Sequence, residues 1–410
     1  MHESTVTTLM RVLHAPLETY LLLAGAYVLL PAVLYPLVAK RIRAARAPMG
    51  AGCAAQTQIL VVTPAHDEEV AIRRLAQSVA AQDYPRERST HVVVADNCTD
   101  ATAARARAGG ATVWERLSEG ASDKTQALRY ASDRISEGAG DLEPDYIVVI
   151  DADSELPPDY LRELDAAIQD RPLGAYQTYR RVSNPGDGAL AAMDAASEEL
   201  RQLVHLGVKD VLGIDAHLHG NGTAFRTDLF HACARGPQEP FADDKAWKAT
   251  LTELGERVGW VGAATVLYSV VTREGNFQNQ RKRWITGQIE MIRKYSLRML
   301  ALGLRRGDAS ALDFGLSMLQ LPRTFLLVET GYLALVSAVA PSITTGSVWL
   351  YGILAAGLFG YGLLGYVVGG LPIDSKAVFG TGARAVTGVA ASTLRVLFGN
   401  KTRRWAALRK

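Results

Sequence analysis

The stretch YIVVIDAD, residues 146–153, runs an apolar β-forming segment straight into two carboxylates, Asp151 and Asp153. Five consecutive apolar residues with no polar alternation suit a strand covered on both faces, as in parallel sheets. In such sheets ligands sit beyond the carboxyl ends of the strands, where this segment places its acids. Working outward, similar runs recur at ILVVT (59–63), HVVVAD (91–96) and ATVWE (111–115), with helical patterns near 70–82, 99–108, 124–136 and 158–169. The alternation predicts an α/β domain with a largely parallel, Rossmann-like sheet over residues 56–292. Asp67, Asp96 and Asp151 then fall at or just past strand ends, bringing acidic groups to one edge.

The flanks differ in kind. Residues 20–38, YLLLAGAYVLLPAVLYPLV, carry no charge and are long enough for a hydrocarbon core of about 30 Å. Lys40, Arg41, Arg43 and Arg46 follow, against the single Arg11 before, so the positive-inside bias puts the domain in the cytoplasm, with residues 1–55 as membrane helix and basic linker. Residues 293–410 read as an amphipathic interfacial helix, an interfacial stretch near 312–321, spanning helices near 324–340 and 348–368, and a basic tail. The apolar stretch 378–398 fits a spanning, re-entrant or interfacial segment equally. Glu329 lies inside an apolar segment, where a carboxyl is costly unless protein or water surrounds it.

Composition excludes some partners. Forty-four basic residues face 42 acidic ones, so no global field recommends nucleic acid. Cys53, Cys98 and Cys233 form no CxxC pair, which argues against a disulfide framework and fits a reducing compartment.

The chemistry-bearing residues are individually modest. Asp151 and Asp153, two apart on an extended chain, should point to one side and suit a hard divalent cation, Mg2+ or Mn2+; acidic turns after strands are nonetheless usually solvated. Asp243-Asp244 offers a carboxylate base, Asp244, with Asp243 as neighbour; the plain alternative is an acidic cap on a helix starting near Lys245. Gln280, Arg283 and Trp284 share a face if helical, pairing a diphosphate-binding fork with an aromatic platform. The bland reading is a helix with its Trp in the core and its Arg outside.

Taken in order, Pro64-Ala65-His66-Asp67-Glu68-Glu69, Asp96-Asn97-Cys98-Thr99-Asp100, Asp151-Ala152-Asp153, Asp243-Asp244 and Gln280-x-x-Arg283-Trp284 resemble the motifs of membrane-bound family 2 inverting glycosyltransferases, the group of cellulose, chitin and hyaluronan synthases and ceramide glucosyltransferase. The resemblance implies a GT-A fold, a nucleotide-diphosphate sugar donor and a divalent metal. It implies that Pro64, His66 and Glu68 border the nucleoside, Asp96 contacts base or ribose, and Lys124 approaches the nucleotide. Asp151 would sit near the sugar and diphosphate, and Asp153 would be the principal metal ligand. Gly220, Asn221 and Gly222 would let backbone approach a sugar, Asp244 would be the base, and Gln280, Arg283 and Trp284 would close the site over diphosphate and acceptor. Two departures stand out: Asp243 replaces the usual Glu, and Asp123 the Gly commonly before the lysine.

The leading expectation is transfer from a nucleotide sugar, UDP-N-acetylglucosamine or UDP-glucose, to a growing β-linked glycan at the inner membrane, with export or accessory subunits as partners. Single-step glycosylation of a membrane lipid is the rival. Other readings are a catalytically silent nucleotide-sugar-binding subunit and a nucleotidyl or phosphoryl transferase, the last of which leaves Gln280, Arg283 and Trp284 without a role.

Overall fold

The computed structural model describes residues 2–50, 52–119, 122–139, 143–237, 239, 242–270, 274–372 and 387–396. A long helix α1 (His2–Ala44) leads into alternating elements: β1 (Ile59–Ala65), α2 (Ile72–Ala80), β2 (Ser89–Asp96), α3 (Thr102–Ala108), β3 (Thr112–Arg116), α4 (Lys124–Ser136) and β4 (Tyr146–Val149). A two-residue β5 (Ser154–Glu155), α5 (Tyr160–Asp170) and β6 (Ala175–Val182) follow. Next, α6 (Ala189–Glu199) runs through a π turn, Leu200–Leu206, into α7 (Gly207–Val211). The domain closes with β7 (Thr223–Arg226), α8 (Thr227–Arg235), α9 (Asp243–Leu254) and β8 (Val258–Tyr268). Beyond it lie α10 (Glu274–Met291), α11 (Leu297–Arg306), α12 (Ala309–Met318), α13 (Arg323–Val339) and α14 (Val348–Gly369).

The strands form one sheet in the order β3-β2-β1-β4-β7-β6-β8-β5. The four strands from β3 to β4 are parallel, as the sequence pattern predicts. Antiparallel β7 breaks the pattern between β4 and β6, while β6 and β8 pair in parallel. The strand order turns at β1, with β2 on one side and β4 on the other, so the carboxyl ends of adjacent strands frame a crevice. Both faces are covered: Val62, Val94, Val149 and Leu128 pack on one side and Val61, Val148, Leu75 and Leu161 on the other.

Three further helices form a second layer. Leu21, Ala24 and Val28 of α1 pack with Leu326 and Leu333 of α13, Tyr351 and Leu358 of α14, and Leu200 and Val204 of the π turn. Their outer faces carry exposed Leu23, Leu30, Val33, Leu37, Leu335, Trp349 and Ile353. Two helices, Thr5–Ala44 and Val348–Gly369, are long and apolar enough to cross a membrane; α13, at 17 residues, is shorter. Helix α1 is continuous through Pro16, Pro31 and Pro36, and Arg11 reaches the Ser342 carbonyl in the α13–α14 turn. Glu329 is buried with neither carboxyl oxygen hydrogen-bonded.

The C-terminal region packs on the domain at two places. In the stretch 312–321, Phe314 and Met318 of α12 are buried with Met291, Tyr295 and Met299 against Ala246 and Ala249 of α9. Its Asp313 carboxylate takes Lys209 at 2.8 Å and His217 at 2.7 Å, so this face was wanted inside. Residues 387–396 are helical, and Val389 and Val396 pack on Ile285, Ile289 and Leu190. Among the described residues that part of 378–398 is docked on α6 and α10. The amphipathic segment after Trp284 splits by face: Met299 is buried, while Leu297 and Leu304 are exposed.

Candidate active site

The crevice is built where β1, β2 and β4 end. Asp67 and Asn97 adopt left-handed backbone with φ of 52° and 48°, a conformation Asn and Asp tolerate better than most residues. These turns bring the loop after β1 against the loop after β2: Asp67 Oδ1 accepts the Thr99 amide at 2.7 Å, and the Glu68 amide donates to Thr102 Oγ1 at 2.8 Å. His66 Nδ1 lies 2.7 Å from the Asp96 carbonyl, and Pro64 closes β1 beside them. The buried Asp96 carboxylate is held by Arg116 at 2.5 Å and by Ser122 Oγ at 2.8 Å. Both Asp96 oxygens therefore have protein partners, and Arg116 escaped the sequence reading because an Arg ending a strand looks solvated.

Ser122 connects this corner to the next. Asp123, the residue that departs from the family pattern, caps α4 by accepting the Gln126 amide at 2.8 Å, so its carboxylate is turned into its own helix. Lys124, the first residue of α4, points the other way: its Nζ reaches Asp151 Oδ1 at 2.6 Å and Asp243 Oδ2 at 3.8 Å. Burial works against that ammonium, but Asp151 and Asp243 outweigh it and hold its pKa above the usual lysine range. Asp243 shows the converse. Burial, with Asp244 and Asp151 adding to it against Lys124, pushes its carboxyl up to about 6, and its buried Oδ2 has no hydrogen-bond partner.

The cap position of α9 is Ala242, without a side-chain hydrogen bond, but Asp244 Oδ1 accepts the Lys245 amide of the first turn at 2.8 Å, so the plain reading of this pair as an acidic helix start holds in part. The helix starts at Asp243, two residues earlier than the sequence implied, and its first turn presents both carboxylates to the crevice.

Opposite lies the His219–Gly222 loop. Gly220 has φ of 76°, and a Cβ there would stand 3.3 Å from Lys124 Nζ and 3.9 Å from Asp244 Cβ; the loop backbone thus runs against both. Gly222 has φ of 75°, and its Cβ would collide with Thr178 Oγ1. Between them Asn221 accepts the Asp151 amide at 3.1 Å and donates to Ser154 Oγ at 2.8 Å. Gln177 of β6 fixes the loop from below, accepting the His219 amide at 2.8 Å and donating to the Asn221 carbonyl at 2.9 Å.

One expectation about the acids fails in its reasoning. Extended alternation does not relate Asp151 to Asp153, because β4 ends at Val149 and the Ser154 amide bonds back to the Asp151 carbonyl at 3.1 Å. The two carboxylates sit in a turn, both part-exposed.

Gln280, Arg283 and Trp284 do lie on one helix, α10. Arg283 is within electrostatic reach of Asp243, whereas Trp284 is 47% exposed, against the bland expectation of a core Trp. The Gln280 side chain lies outside the described residues.

The description "Glycosyltransferase like family 2" matches residues 55–287, more than half of the chain. The chain belongs to that family. Among curated proteins, this glycosyltransferase is 26% identical to a beta-monoglucosyldiacylglycerol synthase of Synechocystis over 242 residues, 56% of this chain and 47% of that one. It is 24% identical to the Nostoc protein of the same name over 243 residues, 56% and 48% of the respective chains. The chain spans about half the length of the curated relatives it matches. Among solved structures, the mannosyltransferase PcManGT from Pyrobaculum calidifontis, in complex with GDP-Man and Mn2+, has a TM-score of 0.57 at 20% identity and covers 94% of this chain and 100% of that one. At that identity the likeness is one of fold. The relatives' names denote a glycolipid-forming enzyme.

Sequence reading passed over one further part of this glycosyltransferase. Arg180 on β6 donates to the His219 carbonyl at 2.8 Å and lies 3.5 Å from the buried Glu198, which Arg201 also meets at 2.5 Å. In sequence these are scattered charges; only the crossing of β6 under the His219 loop gathers them.

Proposed function

We propose that this glycosyltransferase transfers one sugar from a nucleotide-diphosphate donor to a membrane lipid, with inversion at the anomeric carbon. The observation that carries the reading is the reach of Lys124 to both Asp151 and Asp243, with Asp244 across from Gly220. A cation and three carboxylates from α4, the β4 end and α9 thereby share one volume. In the proposal Pro64, His66, Glu68 and Asp96 border the nucleoside, and Lys124, Gln280 and Arg283 face the diphosphate. Gly220, Asn221, Gly222 and Trp284 line the acceptor side. Asp244 takes the proton of the acceptor hydroxyl as its oxygen bonds to the anomeric carbon and the diphosphate departs. Lys124 and Arg283 balance the charge that gathers on the leaving group.

The carboxylates offer the oxygen ligands that a hard divalent cation takes; one, Asp243 Oδ2, is buried without a hydrogen bond, 3.8 Å from Lys124 Nζ. Asp151 and Asp153 would hold Mg2+ or Mn2+, with Asp243 beside them, and the ion would supply Lewis-acid stabilisation of the diphosphate.

A lipid acceptor is supported by the apolar layer of α1, α13 and α14, which meets the domain beside the crevice, and by the names of the relatives. We read that layer as membrane-crossing, with the domain on the cytoplasmic side where Lys40, Arg41 and Arg43 end α1. UDP-glucose is the favoured donor, on the same names. Incubating detergent-purified protein and lipid micelles with a panel of nucleotide sugars and Mg2+ or Mn2+, followed by mass analysis, tests the reading. It predicts lipid carrying a single sugar; a ladder of oligosaccharides contradicts it.

A further inference from the structure

On the acceptor side the structure gathers more positive charge than the donor uses. Lys124 and Arg283 are assigned above to the diphosphate, yet Arg201 lies within electrostatic reach both of Lys245, the neighbour of Asp244, and of Arg323, the first residue of α13. Arg201, on the π turn, is 30% exposed and shares one carboxylate, Glu198, with Arg180. One acid thus serves two guanidiniums. Lys245, next to Asp244, donates to Gln288 Oε1. The Gln288 amide in turn binds the carbonyls of Met318 and, at 3.1 Å, Gln320, three residues before Arg323.

Arg323 begins α13 and stacks over Tyr361 with its Cζ 5.1 Å from the ring centroid. Among the described residues it has no ion pair. Arg201 is within electrostatic reach of Arg323, His219 and Lys245. His219 Nε2 is buried there without a hydrogen-bond partner. Burial with Arg201 and Arg180 pushes the His219 imidazole below its usual range. Cations crowded into a part-buried wall with so few acids are costly unless an anion joins them.

We infer that this wall, Arg201, Lys245 and Arg323 with His219, binds a phosphate group carried by the acceptor lipid next to its reacting hydroxyl. The inference rests on the lipid-acceptor reading and narrows it: a neutral diacylglycerol offers nothing to these groups, whereas a phosphodiester headgroup meets two guanidinium forks. The wall runs from Lys245, the neighbour of the base, to Arg323 at the start of α13, where a lipid anchored among the apolar helices would present its headgroup.

The experiment measures transfer from nucleotide sugar to phosphatidylglycerol, to diacylglycerol and to soluble glycerol phosphate, using full-length protein in neutral micelles. The expected result is a kcat/KM for phosphatidylglycerol at least about tenfold above that for diacylglycerol, with glycerol phosphate poorly used. Arg323→Gln, which breaks no ion pair, and Arg201→Gln should each shrink that ratio several-fold, on the order of the loss of one charge-assisted hydrogen bond, while leaving the KM for donor nearly unchanged; Arg201→Lys should restore part of it. Equal use of diacylglycerol, or a ratio unmoved in both Gln variants, overturns the inference while leaving lipid glycosylation intact. Glycerol phosphate used as well as the lipid overturns the lipid source of the phosphate. If no lipid is glycosylated while an oligosaccharide is extended, the underlying acceptor reading fails instead.

Discussion

Asp244 and Gly222 carry different burdens at the residue scale, and substitutions separate them. Asn at position 244 keeps the shape and removes the base, so Asp244→Asn should lower transfer by about 10²–10⁴-fold while donor binding, followed by calorimetry, stays within about threefold because the donor contacts are elsewhere. Gly222→Ala attacks the fold of the loop. Positive φ and the collision with Thr178 Oγ1 should cost about 2 kcal/mol or more, read as a lower denaturation midpoint. The family order names the candidate site residues in the sequence, and of these Lys124 meets Asp151 and Asp243 in the structure. What stayed hidden were partners set by tertiary crossing. Arg116 on Asp96, Gln177 under the His219 loop and the Arg180–Glu198–Arg201 cluster carry no local signal, since each looks like an ordinary solvated side chain until β3 is paired with β2 and β6 with β7.

Elements were read well where hydrophobic period decides and less well where packing does. The four parallel strands and the first helices fall within a few residues of expectation, because β-branched runs and helical spacing are local properties. The antiparallel insertion of β7 depends on a long-range pairing that no period reports. Segment 312–321 read as interfacial, and 378–398 stayed open, because apolar residues that dock on a protein resemble those that dock on lipid.

His91 on β2 offers an element-scale test. It is buried against Thr63, with Nε2 3.0 Å from Oγ1, and burial lowers its pKa from 6.5 to about 4. The unfolded chain therefore binds more protons between those values, so stability should be complete above pH 6.5 and fall by roughly 2–3 kcal/mol as pH drops toward 4. The double variant Thr63→Val/His91→Val should flatten that part of the stability–pH curve measured by denaturant melts. Helix α14 gives a second test. Gly365 sits so close to α6 that a Cβ would collide with the Ala196 carbonyl. Gly365→Val should push α14 off the domain and reduce transfer to lipid about tenfold or more, with donor binding largely unchanged.

For the whole molecule, the near balance of 44 basic and 42 acidic residues conceals a division of labour. Carboxylates gather at the strand ends, while cations lie beside Asp244 and at the domain end of α1. The apolar helices meet the sheet domain beside the crevice, through Leu200 and Val204 of the π turn that also carries Arg201. One continuous element therefore touches the helix layer and carries Arg201 of the proposed acceptor wall. The most direct test is the mass of the lipid product after exhaustive reaction of full-length protein with nucleotide sugar, divalent cation and lipid micelles, alongside Asp244→Asn. The account predicts lipid bearing one sugar with the wild-type chain and none with the variant; a polymer ladder, or undiminished product with Asp244→Asn, would contradict it.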